Sequence, residues 1–119
     1  MNENTVTLRN QTQHQPYHDQ HLYVDLRYEL VILDGHTLPL SCKEYCLLVL
    51  MVQHAEEAMS RETLSVRVWG HLLSARSRTV DTHVRGLRRK LGVYGEQHIE
   101  TVPGVGYCFR AGSRPGLLM

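Results

Sequence analysis

An α+β fold is predicted for this chain, with strands on either side of a three-helix core. Three observations predict it. Residues 22–40 alternate apolar and polar side chains and hold Asp34-Gly35, a strong two-residue hairpin signal. Two segments open on serine-led helix starts, at Ser41 and Ser60, and residues 76–91 carry an apolar stripe at helical spacing. Beyond Gly92 the chain turns back to strand-forming residues around Pro103-Gly104.

The elements follow in chain order. Residues 1–21 are rich in Asn, Gln, Thr and His without apolar periodicity and read as a disordered tail. His14, His18 and His21 could gather a metal ion, but a metal site needs compact ligand geometry, and they read instead as incidental histidines of a polar tail, so no metal is expected there. Leu22, Val24 and Leu26 alternate with polar residues as a first strand; Tyr28 to Leu33 form a second, and Thr37 to Leu40 return from the Asp34-Gly35 turn. Ser41 and Glu44 make a capping box for the first helix, with Leu40 and Tyr45 placed as a hydrophobic staple. Ser60 caps the second helix, Met59 and Leu64 are placed to staple it, and Gly70 ends it. After a loop at 71–76, Ser77 is the expected cap of the third helix and Gly92 its terminator. His98–Val102 and Tyr107–Arg110 form a hairpin across Pro103-Gly104, which suits a type II turn, and Gly104 and Gly106 read as turn glycines. Residues 111–119 read as a second flexible tail, leaving 22–110 as the folded domain. Three helices followed by a hairpin is the order of a winged helix-turn-helix.

At 119 residues the chain supports one compact domain with tails. Its formal net charge is only +1, which excludes a globally basic, histone-like protein. No apolar run is long enough to span a membrane, and no basic start leads into a secretory signal. Cys42, Cys46 and Cys108 are an odd number without disulfide spacing, which fits a reducing cytosol. Cys42 and Cys46 stand one helical turn apart without further ligands near them, and read as reduced helix cysteines.

The charge is concentrated instead. Six of the thirteen basic residues lie between Arg76 and Lys90, with Asp81 as the one acid among them. Val80, Val84, Leu87 and Leu91 make one stripe of the third helix, and Arg78, Thr82, Arg85 and Arg89 lie opposite it, beside Asp81. A helix anchored by its apolar side with arginines outward suits the major groove of DNA. The candidate DNA contacts are Arg78, Thr79, Asp81, Thr82, Arg85, Arg88, Arg89 and Lys90, with Thr101 from the hairpin. Arg85 and Arg89 are placed for the principal contacts, and Arg88 and Lys90 for phosphates. Asp81 and Arg85, four residues apart, are spaced to pair with each other. Trp69 reads as core; Tyr107 could contact phosphate from the wing but reads rather as core, because it and Phe109 alternate onto one face; His83 reads as a packed, hydrogen-bonded histidine. Tyr45 to Val52 is apolar without a break; either the fold covers this helix all round or its outer face meets a partner such as a second copy.

These residues resemble the OmpR/PhoB-type winged-helix effector domain of bacterial two-component response regulators. The resemblance is carried by Leu40-Ser41, Glu44-Tyr45, Leu47-Leu48, Ser60-Arg61-Glu62, Leu64, Val68-Trp69-Gly70, Arg78-Thr79-Val80-Asp81, His83-Val84, Leu87-Arg88, Lys90-Leu91, Ile99, Thr101-Val102, Gly104, Gly106-Tyr107 and Phe109. It implies an N-terminal antiparallel sheet, a three-helix core and a C-terminal wing. It also implies a third helix in the major groove, a wing toward the adjacent minor groove, head-to-tail dimers on direct repeats, and a 71–76 loop able to meet RNA polymerase.

Two positions depart from that pattern. Gly86 stands where the family often has a base-reading Arg, and Pro103 where a wing-tip Arg can enter the minor groove. Base reading is therefore expected to move to Asp81, Thr82, Arg85 and Arg89, with a thinner minor-groove contact. Residues 1–21 are too few for the receiver domain such regulators carry, so phosphorylation control is not expected of this sequence, whether it is an effector domain alone or a free-standing regulator. The alternative to a DNA-binding transcription regulator is a winged-helix module that binds protein or regulates its own chain. No nucleophile elbow, phosphate loop or zinc-hydrolase motif is present, so neither enzyme chemistry nor a cofactor is expected.

Overall fold

The computed structural model describes residues 17–111, in two compact units that meet in sequence at Leu38 and Pro39. The first unit is a four-stranded antiparallel sheet in the order β1 (Tyr17–His18), β2 (Leu22–Asp25), β3 (Leu30–Leu33), β4 (His36–Thr37). Period-two alternation shows in β2, where Leu22 and Val24 are buried and Tyr23 and Asp25 are not. Val24 pairs with Val31 and Leu22 with Leu33, so apolar residues face one another across the ladder. Asp34 and Gly35 both adopt positive φ, +50° and +82°, as the predicted tight hairpin requires.

The boundaries shift where side chains bend the backbone. Leu26 lies in a turn, not in the strand, because the Asp25 carboxylate accepts the N–H groups of Arg27 and Tyr28 and bends the chain there. Tyr28 is consequently exposed, and the return strand is His36–Thr37 instead of Thr37–Leu40. The predicted tail also begins to fold earlier than 22. Tyr17 pairs with Val24, and Asp19 Oδ1 accepts the N–H groups of His21 and Leu22, closing a turn that composition alone does not reveal. Of the three N-terminal histidines, His21 has its Nδ1 2.7 Å from Asp34 Oδ1, and His14 falls outside the described residues.

The second unit opens on α1 (Cys42–Gln53). Its capping box is formed as the spacing predicts: Ser41 Oγ accepts the Glu44 N–H and Glu44 Oε1 accepts the Ser41 N–H. Leu47, Leu48, Leu50, Met51 and Val52 are buried, and Cys46 and Val49 are half-buried. Val49, on the outer part of the unbroken apolar run, is thus neither fully buried nor fully exposed. Replacing Ser41 with Ala is expected to lower stability by about 1 kcal/mol, read as a lower denaturant midpoint at unchanged slope.

Strand β5 (Met59–Ser60) leads directly into α2 (Arg61–Trp69), where Ser60 Oγ accepts the Thr63 N–H and Gly70, at φ +86°, ends the helix. Helix α3 (Thr79–Leu91) buries Val80, Val84, Leu87 and Leu91, the predicted stripe. Its cap position is Arg78, not Ser77. The Ser77 hydroxyl still accepts the Thr79 N–H, so the serine serves the helix from one residue farther out. Gly92 ends α3 as expected, but a fourth helix, α4 (Val93–His98), follows at once. Six residues are too few to show an apolar period. Helix α4 lies close on α3 because Gly95 has no side chain: a Cβ there would meet the Arg88 carbonyl oxygen at 2.7 Å.

The chain closes with β6 (Ile99–Val102) and β7 (Gly106–Phe109), paired antiparallel across a turn in which the Val105 N–H donates to the Val102 carbonyl and Gly104 has φ +77°. Strand β5 adds to β7, making a three-stranded sheet in the order β5-β7-β6. Gly106 is therefore a strand glycine and not a turn glycine. It is buried, and a Cβ on it would sit 2.0 Å from the Met59 carbonyl oxygen. All four β7 residues are buried, including Tyr107 and Phe109. Ala111, counted in the predicted C-terminal tail, donates its N–H to Glu56 Oε2; residues 112–119 lie outside the described part.

Candidate nucleic-acid interface

Helix α3 has three kinds of face besides its buried stripe. At 3.6 residues per turn, Arg78, Thr82, Arg85 and Arg89 fall opposite Val80, Val84, Leu87 and Leu91. All four are exposed. Among the described residues, no side-chain hydrogen bond or ion pair engages Arg78, Arg85 or Arg89. Arg76, just ahead of the helix, is a fourth exposed arginine in the same condition.

The flank toward β6 and β7 is tied down. Asp81 Oδ1 accepts from Arg61 Nε of α2 at 2.8 Å and also from the Tyr107 hydroxyl of β7. Its predicted pairing with Arg85 is therefore replaced by partners distant in sequence. Seven residues on, Arg88 donates through Nε to the Ile99 carbonyl and through Nη2 to Thr101 Oγ1, at 3.1 and 2.6 Å. The Arg61 and Arg88 guanidiniums both lie against the Tyr107 ring, 5.5 and 5.4 Å from its centroid.

The opposite flank is tied to α1 and α2. Lys90 Nζ donates to Glu44 Oε1 at 2.7 Å, the same carboxylate that completes the α1 capping box. Gly86 lies on this flank as well. A Cβ at 86 would meet Glu44 Oε2 at 2.8 Å, so the glycine leaves room for that carboxylate, a second consequence beside the absent arginine. His83 Nδ1 lies 2.8 Å from the Thr79 carbonyl oxygen and its ring meets Trp69 edge-on at 5.1 Å, the packed histidine expected. Trp69 itself is only half-buried, with the Lys43 ammonium 5.7 Å from its ring centroid, so it borders the core instead of filling it.

Burial pushes the Asp81 carboxyl up, but the Tyr107 hydroxyl and the Arg61 guanidinium outweigh it and hold it below the ordinary range. Burial likewise raises Glu44, and Lys90 with the Ser41 N–H brings it below its usual value. Burial first, and then the hydrogen bond to Asp81, raise the Tyr107 phenol. Carboxyls held low in the folded state stabilise it above the unfolded pKa, about 4, and lose that effect as pH falls through the folded values. The double variant Glu44→Gln, Asp81→Asn is therefore expected to be less stable at neutral pH, with a flatter stability profile below about pH 5, measured by denaturant melts across pH.

The sequence-predicted residues thus divide. Arg78, Thr82, Arg85 and Arg89 share the open face; Thr79 is half-buried at its edge, its hydroxyl accepting from Ser77. Asp81, Arg88, Lys90 and Thr101 are engaged within the unit. Sequence reasoning missed Arg61, Tyr107 and Glu44 as their partners. Glu44 carried a legible role as part of the α1 capping box and Tyr107 as a core residue, but neither reading pointed to α3. At the hairpin tip Pro103, Gly104 and Val105 are exposed and uncharged, consistent with the missing wing-tip arginine. A cleft of about 90 Å³ beside the 71–77 loop is lined by Arg61, Leu72, Leu73, Ala75 and Val80 among others.

The sequence profile of a family described as "Transcriptional regulatory protein, C terminal" matches residues 35–109. The chain belongs to this family. Members similar to it include the response regulator ArlR of Staphylococcus saprophyticus, 41% identical over 81 residues, which cover 67% of this chain and 37% of ArlR. The phosphate regulon transcriptional regulatory protein PhoB of Pseudomonas aeruginosa is 40% identical over 79 residues, 66% of this chain and 34% of PhoB. The matched region thus spans little more than a third of these relatives. Among solved structures, the DNA-binding domain of Escherichia coli CpxR superimposes with a TM-score of 0.75 at 32% identity, covering 82% of this chain and 98% of that one. The DNA-binding domain of Klebsiella pneumoniae RstA, solved in complex with the RstA box, gives 0.74 at 29% identity with the same coverage. The fold is that of the OmpR/PhoB-type winged-helix effector domains. Among the described residues no helix is long and apolar enough to cross a membrane.

Proposed function

We propose that the chain binds double-stranded DNA in a sequence-dependent way as the DNA-contacting domain of a bacterial transcription regulator. One observation carries the reading: α3 is held on three sides while Arg78, Thr82, Arg85 and Arg89 stay exposed on the fourth. A rigid helix with arginines exposed along its free face fits the major groove, where guanidiniums meet phosphates and base edges. The RstA domain with its DNA supports it from outside. The wing lies against the adjacent backbone and minor groove with an uncharged tip, so its contribution there is shape, not charge.

The protein acts by binding, in the cytoplasm, without bond chemistry. Free cations set the expected salt response. Counting Arg76, Arg78, Arg85 and Arg89 as four phosphate neutralisers, log K should fall with log salt at a slope of about −3 to −4. A count by sequence that includes Arg88 and Lys90 would give a steeper slope, and the difference is measurable by titration on one duplex.

Selection of bound duplexes from a random pool tests the function itself. Enrichment of a defined sequence supports a sequence reader. A pool that stays random, with no binding above that of an uncharged control protein, favours the protein-interaction reading, to which the uncharged hairpin tip would then belong.

A further inference from the structure

We propose that Asp81 is a positioning residue for DNA recognition: through Tyr107 and Arg61 it fixes the wing and α2 to the recognition helix, and so sets how that helix meets the groove. This role presupposes the DNA-binding reading above. By sequence Asp81 sits beside the arginines of the open face, where a carboxylate would read a cytosine edge or repel phosphate. The structure turns it away from that face. Its side chain is 29% exposed, and one of its oxygens takes both Arg61 Nε and the Tyr107 hydroxyl.

Three elements therefore meet at one carboxylate: α2 through Arg61, α3 through Asp81 and β7 through Tyr107. A second tie lies two turns along the same flank, where Arg88 reaches Ile99 and Thr101 of β6. Two ties seven residues apart hold the hairpin along α3 at two points, which removes a hinge. Tyr107, 5% exposed, has both the Arg61 and Arg88 guanidiniums against its ring and so joins the two ties. Networks of this kind place side chains more than they add stability, because partly exposed ion pairs are worth little on their own. Recognition responds to small misplacement, since a base contact needs its donor within hydrogen-bond range.

The test uses the whole chain, as wild type, Asp81→Asn, Tyr107→Phe and the double variant, each checked by circular dichroism as folded at the assay temperature. Tyr107→Phe removes one oxygen and keeps the ring, so it reports on the bond without emptying the core. Affinity is measured for the duplex selected by the wild type and for a scrambled duplex, across salt. The expected result is a loss of about tenfold on the selected duplex for either single variant, with scrambled binding changed less than twofold. The double variant should lose no more than the worse single, because both act through one bond. The salt slope should stay constant for Tyr107→Phe, which changes no charge.

Unchanged selectivity in either single variant, or additive losses in the double, would overturn the role. So would a changed base preference at one position for Asp81→Asn alone, which marks a direct base reader. A wild type that binds no duplex would sink the DNA-binding reading and this role with it; a wild type that binds, with variants that match it, sinks this role alone.

Discussion

Replacing Arg85 and Arg89 together with Ala is expected to reduce affinity for the selected duplex by at least about 30-fold, taking roughly 1–3 kcal/mol for each arginine. Both side chains are exposed on the face opposite the buried stripe, and among the described residues neither has a hydrogen-bond or ion-pair partner to lose. The folded state should therefore be little changed, and unfolding midpoints should stay within about 0.5 kcal/mol of the wild type. The salt slope should also flatten by about 2, one for each phosphate that is no longer neutralised. Arg88→Ala offers the contrast. It breaks bonds to Ile99 and Thr101 and uncovers the Tyr107 ring, so stability should fall together with affinity. Equal loss of binding without loss of stability in Arg88→Ala would show that its bonds to β6 matter less than the geometry implies.

Gly106→Ala is expected to destabilise the fold by about 3 kcal/mol or more, a large share of a typical domain's stability of roughly 5–15 kcal/mol. The reason is steric. An added Cβ would lie 2.0 Å from the Met59 carbonyl oxygen and 3.0 Å from Ser60 Cα, both backbone atoms that cannot rotate away. β5 would have to part from β7, and Met59 with it, at the entrance to α2. Gly104→Ala separates crowding from conformation. Position 104 has open space but φ +77°, so the cost there is backbone strain of about 1–2 kcal/mol. Denaturant melts of the two variants should rank Gly106→Ala clearly below Gly104→Ala. The reverse order would mean the strand pairing yields more easily than its backbone packing allows.

Local signals in the sequence were legible because the physics behind them is local. The Ser41–Glu44 box, the Ser60 cap, the Asp34-Gly35 turn and the α3 stripe each involve neighbours within about one turn of helix or hairpin. Helix α4 left no trace because its six residues cannot display a period, and β5 because two residues cannot display an alternation. The open face of α3 was also legible, since helical pitch alone puts Arg78, Thr82, Arg85 and Arg89 opposite the stripe.

The flanks of α3 were not legible. Asp81 meets Tyr107 26 residues away, and Lys90 meets Glu44 46 residues away, so no spacing rule finds either pair. Gly86 shows the same limit from another side. By sequence it is a lost arginine; in the fold it is also the space into which the Glu44 carboxylate reaches. Arg88 and Lys90 also bond within the domain, so part of the basic cluster's charge has partners there that its spacing does not show.

The central claim is that the outer face of α3 lies along the duplex while its flanks stay fixed to the body. Backbone amide shifts during titration with the selected duplex test it most directly. The predicted result is that the largest changes fall on Arg78, Thr82, Arg85 and Arg89, smaller ones on the 103–105 tip, and almost none on buried Leu47, Leu48 and Val84. Changes confined to Val66 and Leu72, with the α3 arginines silent, would contradict it.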